Sequence, residues 1–262
     1  MTPTRSFRIV RAVLMVAFAA YFFVPLLAMF DFSTQNRGSA EGRTWDNWAF
    51  MVTDEDLRAS IIASLLLSLF TVVLMVVLLV PTMVWVRLRV PGMRRIIEFL
   101  CLLPLTIPAL VIVVGISNVY SWVTYLLGDS PLVLTFAYVV LVLPYSYRAI
   151  DSALSAIDVA TLSEAARSLG AGWFTVIVRI VLPNVTGGVL GAAFIAVALV
   201  MGEYVFASLL HFDTLPVAMA ALYKSNGAAA MAAALASMLF VVLLLMGLTL
   251  LSRDRHKQGA SS

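Results

Sequence analysis

The sequence predicts an all-α membrane protein with six transmembrane helices. Of its 262 residues, 62% are hydrophobic and 12% are charged, and the mean hydropathy is +1.02. Soluble domains carry about 25% charged residues, so this chain lacks the polar surface that water requires. Cys101 is its one cysteine, which excludes a disulfide scaffold. These observations place the chain in a bilayer.

Six apolar runs are long enough to span that bilayer. A membrane helix needs about 20 apolar residues to cross about 30 Å of hydrocarbon. Backbone polar groups must be paired inside lipid, so each run predicts a helix. The predicted spans of this single transmembrane domain (1–262) are residues 12–30, 61–86, 96–118, 131–147, 185–210 and 227–251.

The first run begins like a secretory signal, with Arg5, Arg8 and Arg11 ahead of Ala17–Phe18–Ala19. Its apolar residues continue to Phe30, a run that is too long for a signal sequence, so we expect an uncleaved helix.

The basic residues predict the orientation of the chain. With the N-terminus inside, thirteen of the seventeen Lys and Arg lie on the inner side. This distribution predicts that both termini are cytoplasmic. The net charge of +3 then reflects anchoring to the inner leaflet, with no indication of nucleic-acid binding.

Proline and glycine predict local features of the spans. Pro104 and Pro108 each remove a backbone hydrogen bond, which predicts a kink near the centre of the third span. Gly187, Gly188 and Gly191 form a small-residue face at the start of the fifth span, which favours close helix packing.

Two connecting segments are long. The outer segment, residues 31–58, carries six acidic residues and is either a solvated loop or a docking surface for an external partner.

The inner segment, residues 148–182, predicts a helix–turn–helix elbow. Thr161 followed by Glu164 forms a capping box that predicts a helix starting near Leu162, and Gly170 can end that helix with a positive φ. A second amphipathic stretch, residues 173–182, precedes Pro183, which marks the break before the fifth span.

The spacing in this elbow resembles a known signature. Glu164-Ala165-Ala166, then Gly170, then Ile180, Leu182 and Pro183 match the pattern EAA-x3-G-x9-I-x-LP. This set is similar to the signature loop of permease subunits in binding-protein-dependent ABC importers. The segments 44–48, 157–158, 202–204 and 214–216 also resemble that family, so the likeness covers nearly the whole chain.

The resemblance implies a type I ABC importer permease fold in the bacterial inner membrane. In that family the elbow is a coupling helix that sits in a groove of a cytoplasmic ATPase. Carried over, Glu164, Ala165, Ala166 and Gly170 would form this contact. The implied partners are a second homologous permease, two ATP-binding subunits and an extracytoplasmic solute-binding protein.

The sequence itself predicts no catalytic, nucleotide or metal site. A phosphate-binding loop needs Gly-x4-Gly-Lys followed by Ser or Thr, and Lys224-Ser225 lacks the glycines. His211 and His256 are predicted to lie on opposite sides of the membrane. We therefore expect no enzyme activity and no cofactor in this chain, with ATP and Mg bound by the separate ATPase subunits.

Glu203, with Tyr204 beside it, is the predicted substrate-pathway position in the fifth span. A charged side chain in a span costs about 3 kcal/mol and usually faces a cavity or a partner. Glu203 therefore either meets a cationic solute, pairs with an arginine of a partner subunit, or lies at the outer interface.

The substrate prediction is a polyamine such as spermidine or putrescine. Leu169 stands before Gly170 where sugar-type relatives tend to carry Asp, and Trp45-Asp46-Asn47-Trp48 with Glu203 looks most like the polyamine group. Ferric iron, thiamine or an oxyanion are the alternatives. A secondary transporter or channel acting without an ATPase is the alternative class, but it would favour inverted repeats or several intramembrane charges.

Overall fold

The computed structural model describes residues 5–36 and 42–258, and the described residues are almost entirely helical. Arg37 and Glu41 of the outer segment lie outside the described residues. So do the two ends of the chain, residues 1–4 and 259–262, which were predicted to be cytoplasmic. The helices are α1 Arg5–Ser33, α2 Asp46–Thr53, α3 Glu55–Arg89, α4 Arg94–Leu102, α5 Ala109–Leu127, α6 Thr135–Ser155, α7 Val159–Ser168, α8 Trp173–Thr175, α9 Leu182–Asn184, α10 Thr186–Gly202, α11 Val205–Leu209, α12 Leu215–Ser225 and α13 Gly227–Gln258.

Contacts divide the chain into two units, residues 1–58 with 218–240 and residues 59–217 with 241–262. In the first unit, the ring of Phe30 at the end of α1 meets the rings of Trp45 and Trp48, with centroids 6.1 and 6.3 Å away. The second unit contains α4 to α11 and most of the buried side chains.

Five described helices are long and apolar enough to cross a membrane, and a sixth span results if one bent pair is counted. The five segments are Ile9–Ser33, Glu55–Arg89, Ala109–Leu127, Pro131–Ser155 and Gly227–Gly247. The bent pair joins Trp173–Asn184 to Thr186–Gly202 at an angle of 80°. The chain is thus a multi-pass membrane protein, as its composition predicted.

The third span differs from the prediction because the helix breaks completely. Residues 94–102 form the separate helix α4, and a 3-10 turn over Leu103–Thr106 follows. Ile107 and Pro108 are extended, and α5 then begins at Ala109. Pro104 and Pro108 together therefore end one helix and start another, whereas a single kink was expected.

The fourth and fifth spans also differ from their predicted limits. Helix α6 continues to Ser155, so the inner elbow begins later than residue 148. Helix α10 ends at Gly202, because Glu203 is extended, and the short helix α11 follows. The predicted span 185–210 is therefore broken near its outer end.

Helices α6 and α10 pack closely in the second unit. A Cβ added at Gly188 would overlap the Cβ of Ala153 and lie 2.8 Å from the carbonyl oxygen of Ala149. Ala192 and Ala196 follow at four-residue spacing and are fully buried. Of the three predicted packing glycines, Gly188 makes the contact, whereas Gly187 and Gly191 have open space around them. A small side chain at 188 is what lets the two backbones approach.

Candidate functional site

The elbow helix α7 begins one turn earlier than predicted. Its N-cap is Asp158, whose carboxylate accepts hydrogen bonds from the amide of Thr161 at 3.1 Å and from its hydroxyl at 2.7 Å. The predicted cap, Thr161, is thus the third residue of the helix. The capping-box prediction was wrong because Asp158, three residues earlier, is itself a cap residue and starts the helix one turn sooner. These bonds lower the pKa of the Asp158 carboxyl.

The end of α7 agrees with the prediction for Gly170. Its φ is +86°, and its amide donates to the carbonyl of Arg167 at 2.9 Å. The amide of Ala171 donates to the carbonyl of Ala166 at 3.1 Å. These two bonds define a Schellman motif, in which the residue with positive φ is usually glycine. The reversal at the tip of the elbow is therefore built on Gly170.

The predicted contact residues lie together at this tip. Glu164 and Ala165 are exposed, Ala166 is half-buried, and Gly170 is exposed. Within the described part of the chain, the Glu164 carboxylate has no hydrogen-bond or ion-pair partner. Sequence reasoning missed two neighbours: Leu169 is 89% exposed and Phe174 is 80% exposed, on either side of the turn. Apolar residues flanking Gly170 were the signal that could have found them, because exposed large apolar side chains mark interaction surfaces.

Trp173 joins the elbow to helix α3. The guanidinium carbon of Arg167 lies 4.4 Å from the Trp173 ring centroid, and that of Arg89 lies 4.7 Å from it. The ring of Trp85 on α3 meets Trp173 edge-on, with centroids 5.7 Å apart. Each cation–π contact contributes roughly 0.5–2 kcal/mol. One indole thus connects α7 to the end of α3.

The second arm of the elbow is one continuous helical stretch with a π-helical segment. It runs through α8, the π-helical residues Val176–Val181 and α9. Val176 and Val181 are fully buried, which anchors this arm in the core. The 80° bend into α10 follows at Val185, just after Pro183. The elbow is therefore attached directly to the fifth span.

A charged cluster holds the neighbouring helix ends. Asp151 on α6 accepts from Arg87 of α3 at 2.6 Å and pairs with Arg94 of α4 at 3.1 Å. Arg87 also donates to the hydroxyl of Ser155 at 2.8 Å. Asp151 thus joins the ends of three helices on the side where the elbow lies.

Glu203 faces the protein interior. Its carboxylate accepts from the Tyr138 hydroxyl at 2.8 Å and from the amides of Val205 and Phe206 at 2.8 and 3.0 Å. The side chain is 9% exposed, whereas Tyr204 is 47% exposed. Glu203 therefore caps α11 and ties it to α6. A pathway role for either residue stays a prediction.

The stretch Trp45–Trp48 has a packing role. The Trp48 indole donates to the hydroxyl of Ser33 at 3.1 Å, and the Asn47 amide donates to the Ser33 carbonyl at 2.9 Å. Arg43 pairs with Asp31 at 2.6 Å. These contacts fasten the outer segment to the end of α1.

Comparison with known proteins identifies a family, and solved structures of similar fold include two that concern alginate import. The family described as binding-protein-dependent transport system inner membrane component matches residues 87–255. A bacterial ABC transporter involved in the import of the acidic polysaccharide alginate is similar to the chain, with a TM-score of 0.65 and 16% identity over 96% of this chain and 99% of that chain. The bacterial alginate ABC transporter in complex with alginate pentasaccharide-bound periplasmic protein has a TM-score of 0.64 and 16% identity, over 94% of each chain. No curated protein sequence matches the chain. At such identity the structural likeness shows the fold alone.

Proposed function

The chain belongs to the family of binding-protein-dependent transport system inner membrane components, and from this premise we propose that it forms half of the translocation pathway of an ATP-driven importer. A second homologous permease forms the other half. Two cytoplasmic subunits bind ATP and Mg, and an extracytoplasmic solute-binding protein delivers the solute at a bacterial inner membrane. This chain catalyses no reaction and holds no cofactor; it changes between outward-facing and inward-facing states.

The observation that carries this proposal is the exposed tip of the elbow. Glu164 and Ala165 lie on a short helix capped at both ends, and Gly170 follows it, beside the exposed side chains of Leu169 and Phe174. An apolar pair next to an unpaired carboxylate fits a groove with an apolar floor and a basic rim. We assign this groove to the ATPase subunit.

Trp173 transmits the movement of the tip. A displacement of α7 pulls Arg167, and the indole between Arg167 and Arg89 carries that displacement to α3. The second arm carries it to α10 through the bend at Val185. A movement of the elbow tip therefore reaches two spans, α3 through Trp173 and α10 through the second arm.

The coupling role is tested in proteoliposomes that contain the assembled transporter. We expect Glu164→Ala and Leu169→Ala to reduce solute uptake per ATP hydrolysed while the permease stays in the membrane. Trp173→Leu should also lower this ratio, but with the ATPase still bound. Asp129→Ala, which changes an exposed residue far from the elbow in sequence, is the control. Full ATP-dependent uptake in Glu164→Ala and Leu169→Ala would refute the coupling contact.

The proposed solute is a polyamine such as spermidine or putrescine. The family likeness of Glu203 and of Trp45–Trp48 supports it, together with the acidic outer segment. In the present conformation the Glu203 carboxylate is occupied by Tyr138 and two amides, so an ammonium group must displace the tyrosine hydroxyl to reach it. Calorimetry on the cognate solute-binding protein decides the matter. If that protein ignores spermidine and putrescine but holds ferric iron, thiamine or an oxyanion, the polyamine proposal fails.

A further inference from the structure

Helix α5 has two different faces. The face toward the core carries Val113 and Tyr120, which are buried, and Ile112, Ile116 and Val123, which are half-buried. At 3.6 residues per turn, the opposite face carries Val114, Asn118, Ser121 and Tyr125. All four of these side chains are exposed. The exposed face thus contains a row of one amide and two hydroxyls, Asn118, Ser121 and Tyr125, called here the polar row.

Asn118 is the most informative member of the polar row. It is the middle residue of a 19-residue helix that qualifies as a membrane span. Its carboxamide makes no hydrogen bond within residues 5–36 and 42–258, and the Ser121 hydroxyl donates to its backbone carbonyl at 2.6 Å. An unpaired amide in hydrocarbon costs several kcal/mol, so lipid does not fit this face.

The polar row offers hydrogen bonds without charge. Helix α5 contains no Asp, Glu, Lys or Arg. The Ser121 hydroxyl already donates to its own helix, which leaves its lone pairs free to accept. Neutral sites of this kind bind a passing solute weakly, and weak binding is what lets it leave again.

Helix α5 has open space beside the polar row. Gly115, one turn before Asn118, has nothing within 4 Å of a Cβ added there. The row therefore lies next to free volume.

We propose that Asn118, Ser121 and Tyr125 line the translocation pathway and bind the hydroxyl, amide or ammonium groups of a polar solute through hydrogen bonds. This inference rests on the proposed function of the chain as a permease subunit. It assigns the mid-membrane solute contact to a neutral helix face, while the carboxylate of Glu203 holds α11 in place.

Thiol accessibility tests the polar row. The chain's single cysteine, Cys101, is buried, and Cys101→Ala gives the parent. Asn118→Cys and Ser121→Cys are compared with Val119→Cys, which changes an exposed apolar residue on the flank of the same helix. The probe is a charged, membrane-impermeant methanethiosulfonate, applied to the assembled transporter in proteoliposomes. Because the reagent needs water and an ionised thiol, we expect both row positions to react at least about tenfold faster than position 119. The rates should also change when ATP and vanadate trap the complex.

Other outcomes overturn the assignment. Equal rates at positions 118, 119 and 121 would show that the row faces no aqueous path. A disulfide between the Asn118→Cys position and the partner permease, with the reagent excluded, would make this face a subunit contact. Co-purification separates the two proposals: a parent that brings down no ATPase contradicts the permease function. A parent that does so, with inert row cysteines, contradicts the polar row alone.

Discussion

Replacing Gly188 by alanine tests the packing of the bundle most directly. The added methyl group would overlap Ala153 and lie 2.8 Å from the carbonyl oxygen of Ala149 on α6. Backbone cannot rotate away, so α6 and α10 must separate, and overpacking of this kind costs about 1–3 kcal/mol. Gly191→Ala, one turn along α10, meets nothing within 4 Å. Both changes gain about 1 kcal/mol of helix propensity. The difference between the variants, about 1–3 kcal/mol, therefore isolates the overlap.

Thermal unfolding of the purified transporter measures this difference. Cys101 is buried, so its reaction with a fluorescent maleimide, read on the permease band of a gel, reports unfolding. We expect the midpoint of Gly188→Ala to lie below that of Gly191→Ala by roughly 2–4 °C for each kcal/mol. Adding Ala153→Gly should restore part of the loss, because it removes one of the overlapping groups. Identical midpoints for the two alanine variants would refute the close approach of the helices.

Three further changes test the local structure. Gly170→Ala should destabilise the tip by about 1 kcal/mol because of its positive φ, whereas Gly170→Asn should cost less; equal uptake and equal hydrogen exchange in both would contradict the Schellman motif. The lowered pKa of Asp158 means that its cap is present above the ordinary aspartate pKa and is lost as the pH falls through the lowered value. Asp158→Asn should abolish this pH dependence of amide exchange in α7, and a retained dependence would point to another group. Tyr138→Phe should destabilise the chain by about 1–3 kcal/mol through loss of the bond to Glu203, and Tyr145→Phe, an exposed tyrosine on the same helix, should not.

Local sequence patterns predicted one end of the elbow helix correctly and the other end incorrectly. Gly170 ends the helix as expected, because a positive φ depends on the residue itself and its immediate neighbours. The cap at the other end was assigned to Thr161 and belongs to Asp158, because both residue types can cap a helix and the spacing alone does not decide which one starts it. The prolines of the third span were predicted to kink one helix, but they separate α4 from α5, and α4 packs against α6.

Long-range contacts explain what the sequence left open. Glu203 was predicted to meet solute, a partner or the interface; those predictions stay open, and the structure adds a bond from Tyr138, sixty-five residues earlier. In the sequence Trp173 was only a member of an amphipathic stretch. In the structure the guanidinium groups of Arg89 and Arg167 contact its ring. Neither contact has a sequence spacing that could reveal it.

The sequence by itself determined that the chain is a helical membrane protein with an elbow turning at Gly170, because hydropathy, helix length and glycine conformation act locally. Only the tertiary structure decided that Gly188, rather than Gly187 or Gly191, meets α6, that Glu203 turns inward, and that the polar row of α5 faces away from the core. The physical reason is that the rotation of each helix about its axis is fixed by the crossing of neighbouring helices. A uniformly apolar sequence hardly encodes that rotation.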